Sequence, residues 1–279
     1  MTLVQHITPE VLQWIAAQAQ AGHAPESVLR AMRDSGWDDH VARLAIDRSK
    51  RGRSPEELPA AVPVPEPDPT DARCVLRTPD REVRVLMAMR SPRLMVLGGL
   101  LSDAECDGIV ELARPQLARS GTVDTWSGGD HLSERRTSEG MFFKRAAHPL
   151  VARVEARIAH LVSWPLECGE GLQVLRYTLG TQYYPHHDYF DPTVPSTPAI
   201  LNRGGQRVAT IVMCLRAPTD GGSTVFPDVG VRVPAVKGNA VFFSYDRAHP
   251  DSLTLHGGAP VIEGEKWVAT KWLRERAFE

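Results

Sequence analysis

Residues 172–190 read LQVLRYTLGTQYYPHHDYF, and the rest of the chain falls into place around them. Leu172–Tyr177 has the short apolar texture of a strand, and strand character returns after a glycine turn. Side chains two residues apart share one face of a strand, so His186 and Asp188 point one way and His187 the other. An imidazole and a carboxylate at that spacing are two ligands of a 2-His-1-carboxylate site. That arrangement leaves metal positions open and suits non-haem Fe(II). The pair alone is too short to be specific, so a third ligand must come from elsewhere in the chain.

Downstream, the signals are mainly of strands: VATIVMCL (208–215), STVF (223–226), GNAVFFSY (238–245), LTLHGG (253–258) and KWVATKWL (266–273). Gly, Pro and Asp turns separate them. His256 closes one of these runs and is a candidate for the missing imidazole, although a lone histidine there can equally be structural. It precedes Lys266 by ten residues across what reads as a hairpin turning at Glu263-Gly264. Such a hairpin holds the imidazole at a metal and an ammonium deeper in the barrel. A lysine inside a barrel needs an anionic partner, because an unpaired buried charge is costly.

Upstream, Arg93 to Leu97 reads as a short strand closed by Gly98 and Gly99. Ser102 and Glu105 form a capping box before a helix over about 103–113, which Pro115 ends. A second helix is expected over 147–161 from its apolar spacing. Helices followed by many short strands give an α+β class: an antiparallel sandwich or a jelly roll with helices packed on one sheet.

Residues 51–70, RGRSPEELPAAVPVPEPDPT, carry six prolines and read as an extended, semi-rigid spacer. Three short amphipathic helices are expected before it. The first starts at Pro9 after a Thr8 cap, the second runs over about 25–35, and the third is capped by Asp38 or Asp39. Helices this short are stable only when packed together, so residues 1–50 read as a small N-terminal three-helix bundle. Through Ser35 to Asp39 it resembles the ubiquitin-associated three-helix fold, which implies binding of a protein partner or self-association. The expected organisation is a bundle over 1–50, a linker over 51–70 and a principal domain over 71–279.

The 279-residue chain is 42% apolar and 24% charged, with a net charge of -2. This is the composition of an ordinary globular protein, and its charge gives no pull toward nucleic acid or an anionic membrane. The four cysteines, Cys74, Cys106, Cys168 and Cys214, form no CxxC pair and are read as reduced thiols. Neither a secretory leader nor a run long and apolar enough to span a membrane is evident. A cytoplasmic protein is expected, with no nucleic-acid or membrane partner.

Residues 172–190 and 206–274 together resemble the Fe(II)/2-oxoglutarate-dependent prolyl 4-hydroxylases and their bacterial relatives. The matching text is LQVLRY (172–177), HHDYF (186–190), GGSTVFP (221–227), PAVKGNAVFF (234–243), HGGAPV (256–261) and GEKWVATKW (264–272). The resemblance implies that His186, Asp188 and His256 bind Fe(II), and that Lys266 binds the distal carboxylate of 2-oxoglutarate with Tyr177 beside it. Thr210 and Trp272 are placed in the same co-substrate pocket. It further implies O2 as oxidant, ascorbate as reductant, and hydroxylation of an sp3 carbon with release of succinate and CO2. The family-typical substrate is a prolyl residue of a protein or peptide. A free amino acid or other small metabolite is one alternative, and a non-catalytic binding protein that retains the barrel is another.

Two segments depart from the family pattern. The middle residue of H-x-D, often aromatic in the family, is His187, read as solvent-facing or in contact with substrate. Residues 192–205, PTVPSTPAILNRGG, form a Pro-rich stretch read as a lid. Upstream, Arg135 and Arg136 fall near the expected mouth of the site, where Arg136 is a candidate to grip a peptide backbone or a substrate carboxylate.

Overall fold

The computed structural model describes residues 7–51, 58, 60–67, 74–119, 122–123, 130–131 and 138–279. The chain divides into two compact units, one containing Met1–Ala60 and the other Ala61–Ala248 together with Ser252–Glu279.

The first unit holds helices α1 (Pro9–Gln20), α2 (Pro25–Asp34) and α3 (Asp39–Ser49). Proline opens α1 and α2, where its missing N–H costs nothing. The Asp38 carboxylate caps α3, accepting from the backbone N–H groups of His40 and Val41 at 2.9 and 3.2 Å. Ile15, Val28, Leu29, Met32, Ala42, Ala45 and Ile46 form one apolar cluster shared by the three helices.

The second unit is mixed helix and antiparallel sheet. In chain order its strands are β1 (Val75–Arg77), β2 (Glu82–Met89), β3 (Arg93–Gly98), β4 (Ala118–Arg119), β5 (Thr122–Val123), β6 (Asp130–His131), β7 (Glu139–Phe143), β8 (Leu172–Tyr177), β9 (Tyr183–His186), β10 (Arg207–Arg216), β11 (Asp220–Gly221), β12 (Thr224–Phe226), β13 (Val231–Val233), β14 (Ala240–Ser244), β15 (His256–Gly258), β16 (Val261–Glu263) and β17 (Lys266–Arg274). Its helices are α4 (Asp103–Ala113), α5 (Pro149–Leu161) and α6 (Thr197–Leu201). The major sheet has the order β1-β2-β3-β14-β10-β17-β8-β7-β4, and a smaller sheet has the order β13-β12-β15-β9.

Alternation along the central strands sorts side chains between two layers. Trp267, Ala269 and Leu273 of β17, with Ala209, Ile211 and Met213 of β10, pack against Ile109 and Val110 of α4 and Val154 and Ile158 of α5. The opposite face meets the smaller sheet through a second cluster that includes Leu94, Val241 and Phe243 from the major sheet and Phe226 and Val233 from the smaller one. Two antiparallel sheets enclosing one face, with helices on the other, is the jelly-roll arrangement expected from the sequence. The Ser102–Glu105 capping box on α4 is present in both directions.

The structure differs from the sequence reading in three places. His256 and Lys266 do not face each other across a hairpin: β15 belongs to the smaller sheet and β17 to the major one, so the intervening residues cross between sheets. Residues 192–205 are not a long open loop, since they contain α6. The adjoining Gln206 side chain both accepts from and donates to the Phe190 backbone at 2.8 Å. The described end of the proline-rich stretch is not a free spacer but packs within the second unit: Val62 donates its N–H to Asp246 O at 2.7 Å, and Pro65 and Pro67 are buried.

Candidate metal centre and its cavity

The centre starts from a strand pair. β9 and β15 run antiparallel with His186 opposite His256, and the two imidazole rings lie 4.5 Å apart. Glycine at 257 permits this close approach, since a Cβ there would lie 2.7 Å from the carbonyl oxygen of Tyr183. Asp188 lies in a bend two residues past the end of β9. Its Oδ1 is 3.5 Å from His186 Nε2 and its Oδ2 is 3.5 Å from His256 Nε2. One ligand atom from each of the three residues lies within 4.8 Å of the others.

Hydrogen bonds aim both histidines. His186 Nδ1 is 2.9 Å from Tyr184 O, and His256 Nδ1 is 3.0 Å from Thr254 O. A carbonyl only accepts, so each Nδ1 carries a proton, which turns each Nε2 toward Asp188. Burial drives the His256 pKa down to about 4, which keeps its ring neutral near pH 7. Burial alone would raise the Asp188 pKa, but His256, His186 and Arg207 outweigh it and hold the carboxyl far below its usual range. Two imidazole nitrogens and one ionised carboxylate form a donor set suited to a divalent cation.

Beside the triad is a cavity whose lining includes Gln173, Tyr177, Tyr183, Thr224, Lys266 and Trp272. Lys266 is the cross-strand partner of Tyr177, and its Nζ lies 5.6 Å from the centre of that ring. The ammonium is buried, and desolvation lowers its pKa to about 8. Among the described residues no carboxylate pairs with it, so the cavity holds an unanswered cation facing the three ligand residues.

Trp272 lines the same cavity and carries the Arg207 guanidinium 3.9 Å from its ring centre. Thr210 is fully buried and is not among the lining residues; it donates to Asp188 Oδ2 at 2.7 Å instead. His187 stacks on Tyr189 with ring centres 4.6 Å apart. Arg136 lies outside the described residues.

Sequence reasoning missed three participants. Thr224 lies in the cavity wall with Lys266, and the inward alternation of Thr224 and Phe226 was the available signal. Tyr245, whose hydroxyl lies 3.1 Å from Thr210 Oγ1, follows β14 and has no motif of its own. Arg207 donates to both oxygens of Glu170 at 2.7 and 2.9 Å, a pairing that only the tertiary fold creates.

Comparison with known proteins agrees with this geometry. Residues 172–274 match the 2OG-Fe(II) oxygenase superfamily. The chain is 38% identical to Prolyl 4-hydroxylase 2 of Arabidopsis thaliana over 232 residues, covering 74% of this chain and 76% of that protein. It is 42% identical to Prolyl 4-hydroxylase 1 of the same plant over 205 residues, covering 67% and 70%. Among solved structures, it is similar to the viral collagen prolyl hydroxylase of Paramecium bursaria chlorella virus-1 in its 2OG complex. That match has a TM-score of 0.51 and 29% identity, and covers 65% of this chain and 95% of the viral one. A His-Asp-His cluster built from two paired strands and the bend after the first, and relatives aligned over most of their length, lead to one assignment: the chain belongs to the 2OG-Fe(II) oxygenase superfamily, as a dioxygenase of the prolyl 4-hydroxylase type.

Proposed function

We propose that this chain hydroxylates an sp3 carbon of a prolyl residue in a protein or peptide, converting 2-oxoglutarate to succinate and CO2. The observation that carries this reading is the buried His186–Asp188–His256 cluster sharing one cavity with the unanswered Lys266 ammonium. In this reading His186, Asp188 and His256 hold Fe(II) through two Nε2 atoms and one carboxylate. Lys266 holds the far carboxylate of 2-oxoglutarate, with the hydroxyls of Tyr177 and Thr224 in the same wall and Trp272 closing one side. Bound Fe(II), with 2-oxoglutarate and O2, supplies the oxidising chemistry at the substrate C–H bond, and ascorbate serves as the reductant.

The protein's own contribution is positional. The backbone carbonyls of Tyr184 and Thr254 fix the imidazole tautomers, and the enclosing sheets keep the cavity largely dry, which strengthens the Lys266–carboxylate attraction. No side-chain general base is required. The names of the aligned plant and viral relatives favour a prolyl residue over a free amino acid, and the intact ligand set with Lys266 speaks against a non-catalytic barrel.

The same proposal treats residues 1–50 as a three-helix bundle that docks a protein partner or self-associates, and 71–279 as the catalytic domain. No helix of the described residues is long and apolar enough to cross a membrane. The free cysteines suit the reducing cytoplasm.

Succinate formation by purified protein with Fe(II), ascorbate and 2-oxoglutarate tests the chemistry, with His256→Ala as control. Stimulation by proline-containing peptides but not by free proline is the expected result. Wild-type protein that neither forms succinate with such peptides nor binds 2-oxoglutarate in the presence of Fe(II) would sink the reading.

A further inference from the structure

The Asp188 carboxylate spans the two histidines almost symmetrically, with Oδ1 3.5 Å from His186 Nε2 and Oδ2 3.5 Å from His256 Nε2. Thr210, in the middle of β10, breaks that symmetry. Its hydroxyl lies 2.7 Å from Asp188 Oδ2 and 3.1 Å from the Tyr245 hydroxyl. The direction of both bonds follows from the chemistry. An ionised carboxylate only accepts, so Thr210 donates its single hydrogen to Asp188 and must accept from Tyr245. All three side chains are buried, with relative exposures of 0% for Thr210, 2% for Tyr245 and 6% for Asp188. Water therefore cannot readily replace either bond, and a lost one leaves a buried polar atom unsatisfied.

We propose that Thr210, held in turn by Tyr245, is a positioning residue that keeps Asp188 a one-oxygen metal ligand. With Oδ2 engaged by Thr210, Oδ1 is the oxygen left for the metal. This matters for the coordination count. Two imidazoles and one carboxylate oxygen would hold a divalent ion and leave its remaining positions to 2-oxoglutarate and O2. A carboxylate free to turn both oxygens inward would occupy a position that 2-oxoglutarate or O2 requires. Thr210 thus acts through Asp188 on co-substrate binding, from outside the cavity wall. The inference rests on the assignment of His186, Asp188 and His256 as metal ligands.

Cobalt(II) tests it, because its visible absorption reports coordination number without turnover. Wild type, Thr210→Val, Thr210→Ser and Tyr245→Phe are loaded with Co(II), their spectra recorded, and 2-oxoglutarate titrated by calorimetry, with metal-free melting curves alongside. Thr210→Val is expected to change the Co(II) spectrum and weaken 2-oxoglutarate binding about 10- to 100-fold, the range for lost partners of metal ligands. Thr210→Ser, which restores the hydroxyl, should return affinity and spectrum to near wild type, and Tyr245→Phe should fall between. A Thr210→Val protein with the wild-type spectrum and affinity, or a Thr210→Ser protein as impaired as Thr210→Val, overturns the proposal. Should Thr210→Val not fold, Thr210→Ala is read by the same two criteria. Failure of the wild type to bind Co(II), or undiminished Co(II) binding by His256→Ala, would instead remove the metal-ligand assignment itself.

Discussion

Lys266 and Lys271 lie on the same strand, β17, on opposite faces of the major sheet, and among the described residues only Lys271 meets a carboxylate. Lys271 points to the helix layer and pairs with Glu155 of α5, both about 1% exposed. Lys266 points to the cavity, where no carboxylate of the described residues meets it. Replacing each by methionine should therefore have opposite consequences. Lys271→Met leaves Glu155 buried without its cation and should cost about 3–5 kcal/mol of stability. Lys266→Met removes a desolvated charge, so the ligand-free protein should melt at the same temperature or higher. Its 2-oxoglutarate affinity should fall on the order of 100-fold, the usual effect of losing one partner of a buried charge pair. Thermal melts of the ligand-free variants and calorimetric titration of 2-oxoglutarate check both halves.

The same lysine sets a pH dependence. Burial lowers the Lys266 pKa from the ordinary 10.5 to about 8. Of the neighbours facing it, Cys214 has a thiol pushed up to about 11 by burial and stays neutral across this range, and Tyr177 presents its ring. Between pH 8 and 10.5 the unfolded chain holds more protons than the folded one at this residue, so its contribution to stability rises with pH. Co-substrate binding runs the other way. In the proposed function the anion is held by the ammonium, so 2-oxoglutarate affinity should decline above pH 8, approaching tenfold per unit, while Lys266→Met shows no such slope. A calorimetric series from pH 7 to 9.5 with both proteins decides it.

Much of the centre was legible from short local runs. His186 and Asp188 converge from one of them, although the strand ends at His186 and Asp188 is brought in by the bend that follows rather than by alternation. Alternation along β17 does display Lys266 and Trp272 on the face opposite Trp267 and Lys271. The capping box at Ser102 and the apolar faces of the first three helices were equally local, and were readable for that reason. What escaped was long-range. His256 reaches His186 because β15 pairs with β9 rather than folding back on β17, and the nine residues between His256 and Lys266 look the same either way. Thr210 reads as one more β-branched strand residue, and only the crossing of Asp188 over β10 gives its hydroxyl a task. The strand Glu82–Met89 was also missed, because its apolar residues run unbroken from Val85 to Met89 and show no alternation to mark a two-residue period.

At the third helix, the Asp38 cap is a local contribution that can be isolated. Its carboxylate satisfies two of the backbone N–H groups that α3 leaves open. Asp38→Ala should cost about 1 kcal/mol. Amide hydrogen exchange in residues 39–49 should quicken about fivefold, while Asp38→Asn, which keeps an acceptor oxygen, should stay close to wild type.

Glu170 holds two arginines at once: Arg207 through both carboxylate oxygens at 2.7 and 2.9 Å, and Arg274 with Nε 3.1 Å from Oε1. Burial and the nearby Arg207 charge depress the Arg274 pKa to about 10 despite the attraction of Glu170. The carboxylate therefore offsets repulsion between two largely buried guanidiniums, and its loss should matter more than the loss of either fork. Glu170→Gln keeps shape and hydrogen-bonding capacity but removes the charge, and should destabilise by about 3–5 kcal/mol. Arg207→Lys gives up the paired geometry and the stacking on Trp272 but retains a cation, and should cost about 1–3 kcal/mol. Because Trp272 lines the cavity, Arg207→Lys should also alter the quenching of tryptophan fluorescence by 2-oxoglutarate, whereas Lys271→Met should not. Urea unfolding of the two variants at pH 7 ranks them, and a Glu170→Gln protein more stable than Arg207→Lys would show that the carboxylate's charge is not what holds the pair together.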